Sequence, residues 1–171
     1  MTAQPRLLVI AFDAANASLV RTWASRGLLP NIAGLMARGR TADMRGVDGF
    51  FTGSTWPSLL TSTGPARHGI HYLAQLATGT YEFARPHEAE YIRAPMFWEC
   101  LARAGKRLAI LDLPLTKPDP AIPGIQTVEW AGHDSIFGFR TTPAGLRAEI
   151  LAAHGRHPVI PDCDRVGRTP E

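Results

Sequence analysis

Two continuous apolar runs stand out along the chain, RLLVIAFD (Arg6–Asp13) and RLAILDLP (Arg107–Pro114). Unbroken hydrophobicity, in place of an alternation, is the pattern of a strand buried on both faces, as in a parallel sheet. Each run ends on an acid, Asp13 or Asp112. Between and after them the period changes to that of helices. Asn16 can cap a helix that carries Leu19, Val20 and Trp23 on one face and stops at Gly27. Pro30 suits a first helical position, with Ile32, Leu35 and Met36 in helical spacing and Gly39 as the stop. A short strand is expected around Thr41–Val47, and a short helix, started by Pro57, over Ser58–Thr63, ended by Gly64-Pro65. The pattern then weakens, and residues 71–94 read as a loop or a small cap. Pro95 opens a helix with Phe97, Trp98 and Leu101 inward and Gly105 as its stop, TVEW (Thr127–Trp130) reads as a third strand, and Thr142-Pro143 opens a last helix with Leu146, Ile150 and Leu151 inward. Strands that alternate with helices predict an α/β fold, a mostly parallel sheet flanked by helices. Such sheets carry their sites at the carboxyl ends of the strands, where Asp13 and Asp112 are expected.

Composition narrows this only a little. The chain has 171 residues, 45% of them hydrophobic and 19% charged, which fits one globular domain or a large part of one. A chain of this size can bury roughly 70% of its unfolded surface. The net charge of +3, from 18 Lys and Arg against 15 Asp and Glu, is small and spread out. It gives no nucleic-acid footprint and does not oppose an anionic substrate. Cys100 and Cys163 are the only cysteines and fit no metal or redox spacing, which favours a reduced, cytoplasmic location. The first apolar run is too short for a signal peptide, and no stretch approaches a membrane span.

The chemistry concentrates in two places. Asp13 has a carboxylate oxygen that suits a divalent ion, and equally the chemistry of a turn or cap. In FTGSTWPSLLTSTGPARHGIH (Phe51–His71), Thr55 lies just before the expected helix. A hydroxyl there, or that of Ser54, can cap the helix, or it can attack a phosphoryl group held at the helix end. A threonine hydroxyl needs a base or a metal to become an effective nucleophile. His68 and His71, His154 and His157, His133-Asp134, and Asp162 and Asp164 are weaker candidates, better read as loop, helix-stop or solvated residues. The chain has no Rossmann fingerprint, P-loop, nucleophile elbow or paired CxxC.

Asp13, Leu29-Pro30-Asn31, Leu35, Gly39, Thr55-Trp56-Pro57 and Pro65-Ala66-Arg67-His68-Gly69-Ile70 occur in an order and spacing that resemble the alkaline-phosphatase superfamily. The closest likeness is to its type I phosphodiesterase/nucleotide pyrophosphatase branch. AILDLPLTKP and VEWAGHDS are weaker family-like segments. The resemblance implies an alkaline-phosphatase-like fold, Asp13 as a metal ligand, and Thr55 as nucleophile and metal ligand. It also implies two divalent ions, zinc foremost, and a small-molecule phosphate ester as substrate. Nucleic-acid and membrane partners are not expected. His68 corresponds to a residue that marks the fold and does not bind metal. Two departures bear on specificity: Asp13 is followed by Ala14 where the family has Gly, and His71-Tyr72-Leu73 lacks the Asn that binds a phosphoryl oxygen in many nucleotide pyrophosphatases.

The expected function is therefore metal-dependent hydrolysis of a phosphodiester or pyrophosphate through a phosphothreonine. The alternatives are a non-catalytic α/β module in which Asp13 and Thr55 only cap or turn, and a sulfatase- or phosphotransferase-like member of the superfamily. A two-metal site needs about six to eight protein ligands. The resemblance assigns only Asp13 and Thr55, so the remaining ligands are expected beyond Glu171. On that expectation the chain is the N-terminal part of one domain and is inactive alone.

Overall fold

The structure is a computed structural model that describes residues 6–50, 53–84, 92–131 and 138–158. The chain divides into two units, Met1–Arg45 and Gly46–Glu171.

In the first unit the apolar run does not form a strand. Residues 6–12 have no regular secondary structure and belong to no sheet, and Leu8 is 82% and Phe12 68% exposed. A parallel strand needs neighbours to take its N–H and C=O groups. The described part of this unit offers only two helices. The expected strand around Thr41–Val47 is likewise absent, and these residues are irregular and exposed. The helices follow their local signals. Helix α1 spans Ala17–Ser25, and the Asn16 side chain accepts the Leu19 N–H at 3.1 Å, a side-chain N-cap. Helix α2 spans Pro30–Arg38, with Pro30 at its first position and the Gly39 N–H bonded to Leu35 O. The two helices pack together, and Ala24 is the buried residue between exposed neighbours. Asp43 forms an ion pair with Arg21 of α1.

In the second unit, helix α3 spans Thr55–Thr61 and α4 spans Pro65–His68. A two-stranded antiparallel hairpin follows, with β1 at Gln75–Leu76 and β2 at Phe83–Ala84, so part of the segment read as a loop or cap is a hairpin. Helix α5 spans Phe97–Arg103. It starts two residues after Pro95 because Met96 is extended and its N–H donates to Glu99 Oε1 at 2.7 Å, closing the first turn. Then come β3 (Leu108–Leu111), β4 (Gly124–Val128), β5 (Arg140–Thr142) and α6 (Leu146–His154).

These strands form one sheet in the order β3-β4-β5. β3 and β4 are parallel, from Leu108 opposite Gly124 to Leu111 opposite Thr127, but β5 runs antiparallel to β4. The sheet is mixed, which corrects the mostly parallel expectation. β5 has no apolar run. Thr141 secures its end by donating to Pro143 O at 2.8 Å and accepting the Arg147 N–H at 3.0 Å.

The core of this unit joins α3, α5 and the sheet. Leu60, Trp98, Ile110 and Ile122 are all buried in one cluster. Ile70 and Leu115 form a second. Trp56 packs against both and so ties the first turn of α3 to the whole core. Among the described residues no helix is long and apolar enough to cross a membrane.

Candidate active site

Thr55 is the first residue of α3, not the residue before a helix that begins at Pro57. Proline is tolerated inside this first turn because the N–H groups there have no partner within the helix. Ser54 takes the cap position in a helical conformation without a side-chain cap bond, and its carbonyl accepts the Ser58 N–H at 2.9 Å. Burial singles out one residue of the turn. Gly53, Ser54 and Pro57 are buried, Trp56 is half-buried, and Thr55 alone is exposed.

The turn leading into α3 is fixed by main-chain packing. Gly53 has φ +102°, and a Cβ on it would lie 2.5 Å from Leu73 N and 2.7 Å from Tyr72 C. Only glycine permits both that conformation and that approach. The segment His71-Tyr72-Leu73, which lacks the family's Asn, therefore lies directly against the turn that presents Thr55. Its own course is fixed by Gln75, which accepts the His71 N–H at 3.0 Å and donates to Gly69 O at 3.0 Å. The exposed His71 ring lies against Phe50, centroids 5.8 Å apart.

His68 ends α4 and is fully buried. Its Nδ1 accepts the Ile70 N–H at 3.1 Å, and its Nε2 lies 2.9 Å from Ser58 Oγ. An Nδ1 that accepts cannot carry the proton of a neutral imidazole, so Nε2 carries it and donates to Ser58. Burial first, and the charge of His71 second, hold this imidazole below the usual histidine range. Ser58 and His68 have the separation of a nucleophile and its base, but the proton is on the wrong nitrogen for that work. The pair is structural, as the resemblance implied for His68. Ser58 was not legible as its partner, since nothing in a spacing of ten residues announces the contact.

Asp13 lies in the first unit, in the turn Asp13-Ala14, where Ala14 has φ +51°. It is exposed and does not cap α1, since Asn16 does. It follows an irregular segment in place of the expected strand. Thr55 belongs to the second unit, and each is described within its own unit.

Asp112 does follow a strand, β3, and its carboxylate is engaged by the main chain beyond β4. It accepts the Trp130 N–H at 3.0 Å and the Ala131 N–H at 2.9 Å. It clasps two strand ends together. His154, the last residue of α6, and His157 lie against the Trp130 ring, at 6.3 and 4.7 Å, and the Trp130 indole N–H donates to Gly155 O. His133, Asp134, Asp162, Cys163 and Asp164 lie outside the described residues.

For a metal, the donor types fit and the number does not. A carboxylate at Asp13 and a hydroxyl at Thr55 are hard oxygen donors. Among the described residues, however, no three His, Cys, Asp or Glu side chains form a cluster able to hold an ion.

Helices beside a small mixed sheet agree with an alkaline-phosphatase-like domain. The chain belongs to the type I phosphodiesterase/nucleotide pyrophosphatase family, whose model matches residues 7–157, and so to the alkaline phosphatase superfamily. That is a family of phosphodiesterases and pyrophosphatases. None of the curated proteins and none of the solved structures compared with the chain match it.

Proposed function

We propose that the protein hydrolyses a phosphodiester or pyrophosphate bond through a covalent phosphothreonine at Thr55. The observation that carries this reading is the isolated exposure of Thr55 in a turn whose other residues are buried or half-buried. In the proposed reaction Thr55 Oγ forms a bond to phosphorus as the bond to the leaving oxygen breaks. The Thr55 proton is lost and the leaving oxygen takes one up. Water then releases the phosphoryl group and restores the hydroxyl.

Thr55 Oγ requires activation that His68 does not supply, since His68 is buried and its basic nitrogen is occupied by Ile70. Divalent ions, zinc in this proposal, would supply Lewis-acid activation, and Asp13 and Thr55 are each proposed, within their own units, as residues able to ligate an ion. Tyr72 and Leu73, which abut the turn at Gly53, leave that side of the site without the amide of the nucleotide-specific members.

The test uses the complete protein that carries this sequence. With bis(4-nitrophenyl) phosphate as substrate, acid quench and peptide mapping should place the phosphoryl adduct on Thr55. Thr55→Ala should abolish turnover at a stability cost of about 0.5 kcal/mol or less, that of a substitution at an exposed position. Asp13→Asn should lower bound zinc and turnover together. An adduct on another residue, or full turnover by the alanine variant, overturns the assignment.

A further inference from the structure

We infer that His68 is a positioning residue for Thr55: its neutral Nε2–H form holds α3 through Ser58, and protonation at Nδ1 releases that hold. The inference rests on the reading of Thr55 as nucleophile, but its geometry lies wholly in the second unit.

Ser58 stands three residues after Thr55 in α3 and is half-buried where Thr55 is exposed. Its N–H closes the first turn onto Ser54 O, and its hydroxyl meets His68 Nε2 at 2.9 Å. The imidazole thus grips the turn that presents Thr55 from the buried side. The opposite ring nitrogen is gripped in turn by the Ile70 N–H, and Ile70 is 1% exposed. The His68 carbonyl accepts the Arg93 N–H at 3.0 Å, so the main chain on either side of the ring is fixed as well.

A proton added to Nδ1 changes an acceptor into a donor that faces the Ile70 donor. Ile70 cannot turn to water, because it is buried. Either the Ile70 N–H loses its partner or the ring rotates, and rotation gives up Ser58. Rotation is the outcome that loosens the first turn of α3, because the Ser58 bond is the one that reaches it. Burial first, and the charge of His71 second, oppose the proton, and two further cationic side chains lie nearby. His71 follows α4, Arg67 precedes His68 within α4, and the Arg93 side chain passes over Gly69, 3.5 Å from where its Cβ would be. From α3 the ring bonds the neutral Ser58, and the described cluster of Ile70 and Leu115 is apolar. Burial and His71 hold the ring below the usual histidine range, so in neutral solution it is uncharged and the grip is closed.

The test is NMR on the chain labelled with ¹⁵N. Imidazole ¹⁵N shifts should report the Nε2–H tautomer of His68. On acidification the ring should titrate with a midpoint below about 6.5, the ordinary value. The Thr55 amide shift should move with the same midpoint. In Ser58→Ala the His68 ring should still titrate while the Thr55 amide no longer follows it. A Thr55 amide that is unaffected by the His68 titration overturns the inference, as does an Nδ1–H tautomer. Global unfolding in step with His68 protonation overturns it too, because a histidine that only fills the core behaves that way. Retained coupling in Ser58→Ala shows that the hold does not run through Ser58. If the phosphoryl adduct maps elsewhere but the amide coupling is present, the nucleophile assignment fails and the grip of His68 on α3 stands.

Discussion

Replacing Gly53 by alanine attacks the presentation of Thr55 without touching a group that could react. The magnitude has two parts. At φ +102° an L-residue is strained, a cost of about 1–3 kcal/mol. The new Cβ would also stand 2.5 Å from Leu73 N, 2.7 Å from Tyr72 C and 3.1 Å from Tyr72 Cα. All three atoms are main chain, so no flexible side chain can swing away. Reaching an ordinary contact of 3.4 Å requires the two segments to separate by 0.9 Å, the difference between 3.4 and 2.5 Å. Overpacking of this kind costs about 1–3 kcal/mol. Together the two parts give about 2–6 kcal/mol, a large share of the roughly 5–15 kcal/mol that holds a domain folded. Urea unfolding followed by tryptophan fluorescence measures it. Gly46→Ala is the control, since Gly46 has no positive φ and nothing within 4 Å of its Cβ position. Gly53→Ala should lower the urea midpoint far more than Gly46→Ala, and the Thr55 amide resonance should shift. Equal midpoints for the two variants would refute the claim that 72–73 buttresses the turn.

Two further outcomes follow from hydrogen bonds at the sheet and beside α3. Asp112→Ala strands the Trp130 and Ala131 N–H groups and should cost about 2–4 kcal/mol, with Asp112→Asn intermediate because one acceptor survives; unfolding midpoints check both. His68, whose folded pKa is lowered, favours folding fully above about 6.5, and its contribution drains away as the pH falls from there through the folded value. Unfolding free energy measured across that window should drop in the natural chain and drop less in His68→Gln, which has no proton to bind.

How far the sequence speaks depends on the range over which each signal acts. The Asn16 cap, Pro30 at a helix start, the stop at Gly39 and the apolar spacing of α5 and α6 are local, and the helices appear where these place them, within two or three residues. β3 was legible from its apolar run, and β4 in part, through Thr127 and Val128. Strand direction and partnership are not local. β5, three residues long and polar, exists because β4 offers an antiparallel ladder and Thr141 closes the corner into α6. Leu7–Phe12 fails in the opposite sense. It carries a clear strand signal, yet among the described residues of its unit it has no strand partner, and it stays exposed. A hydrophobic run states that a segment needs neighbours, and it cannot supply them.

The site divides along the same line. Thr55 was found through a motif, but the motif could not tell a cap from a nucleophile, because both uses call for a hydroxyl at the start of a helix. Ser54 holds the cap position and is buried, without a side-chain cap bond, and Thr55 is exposed at the first helical position. At the start of α1 it is Asn16, and not Asp13, whose side chain makes the cap. Asp112 has the position expected of a site residue, and two main-chain N–H groups occupy its carboxylate. His68 shows why a motif histidine can matter without touching substrate. Its two ring nitrogens join Ile70 to Ser58, and Ser58 to the turn in which Thr55 alone is exposed.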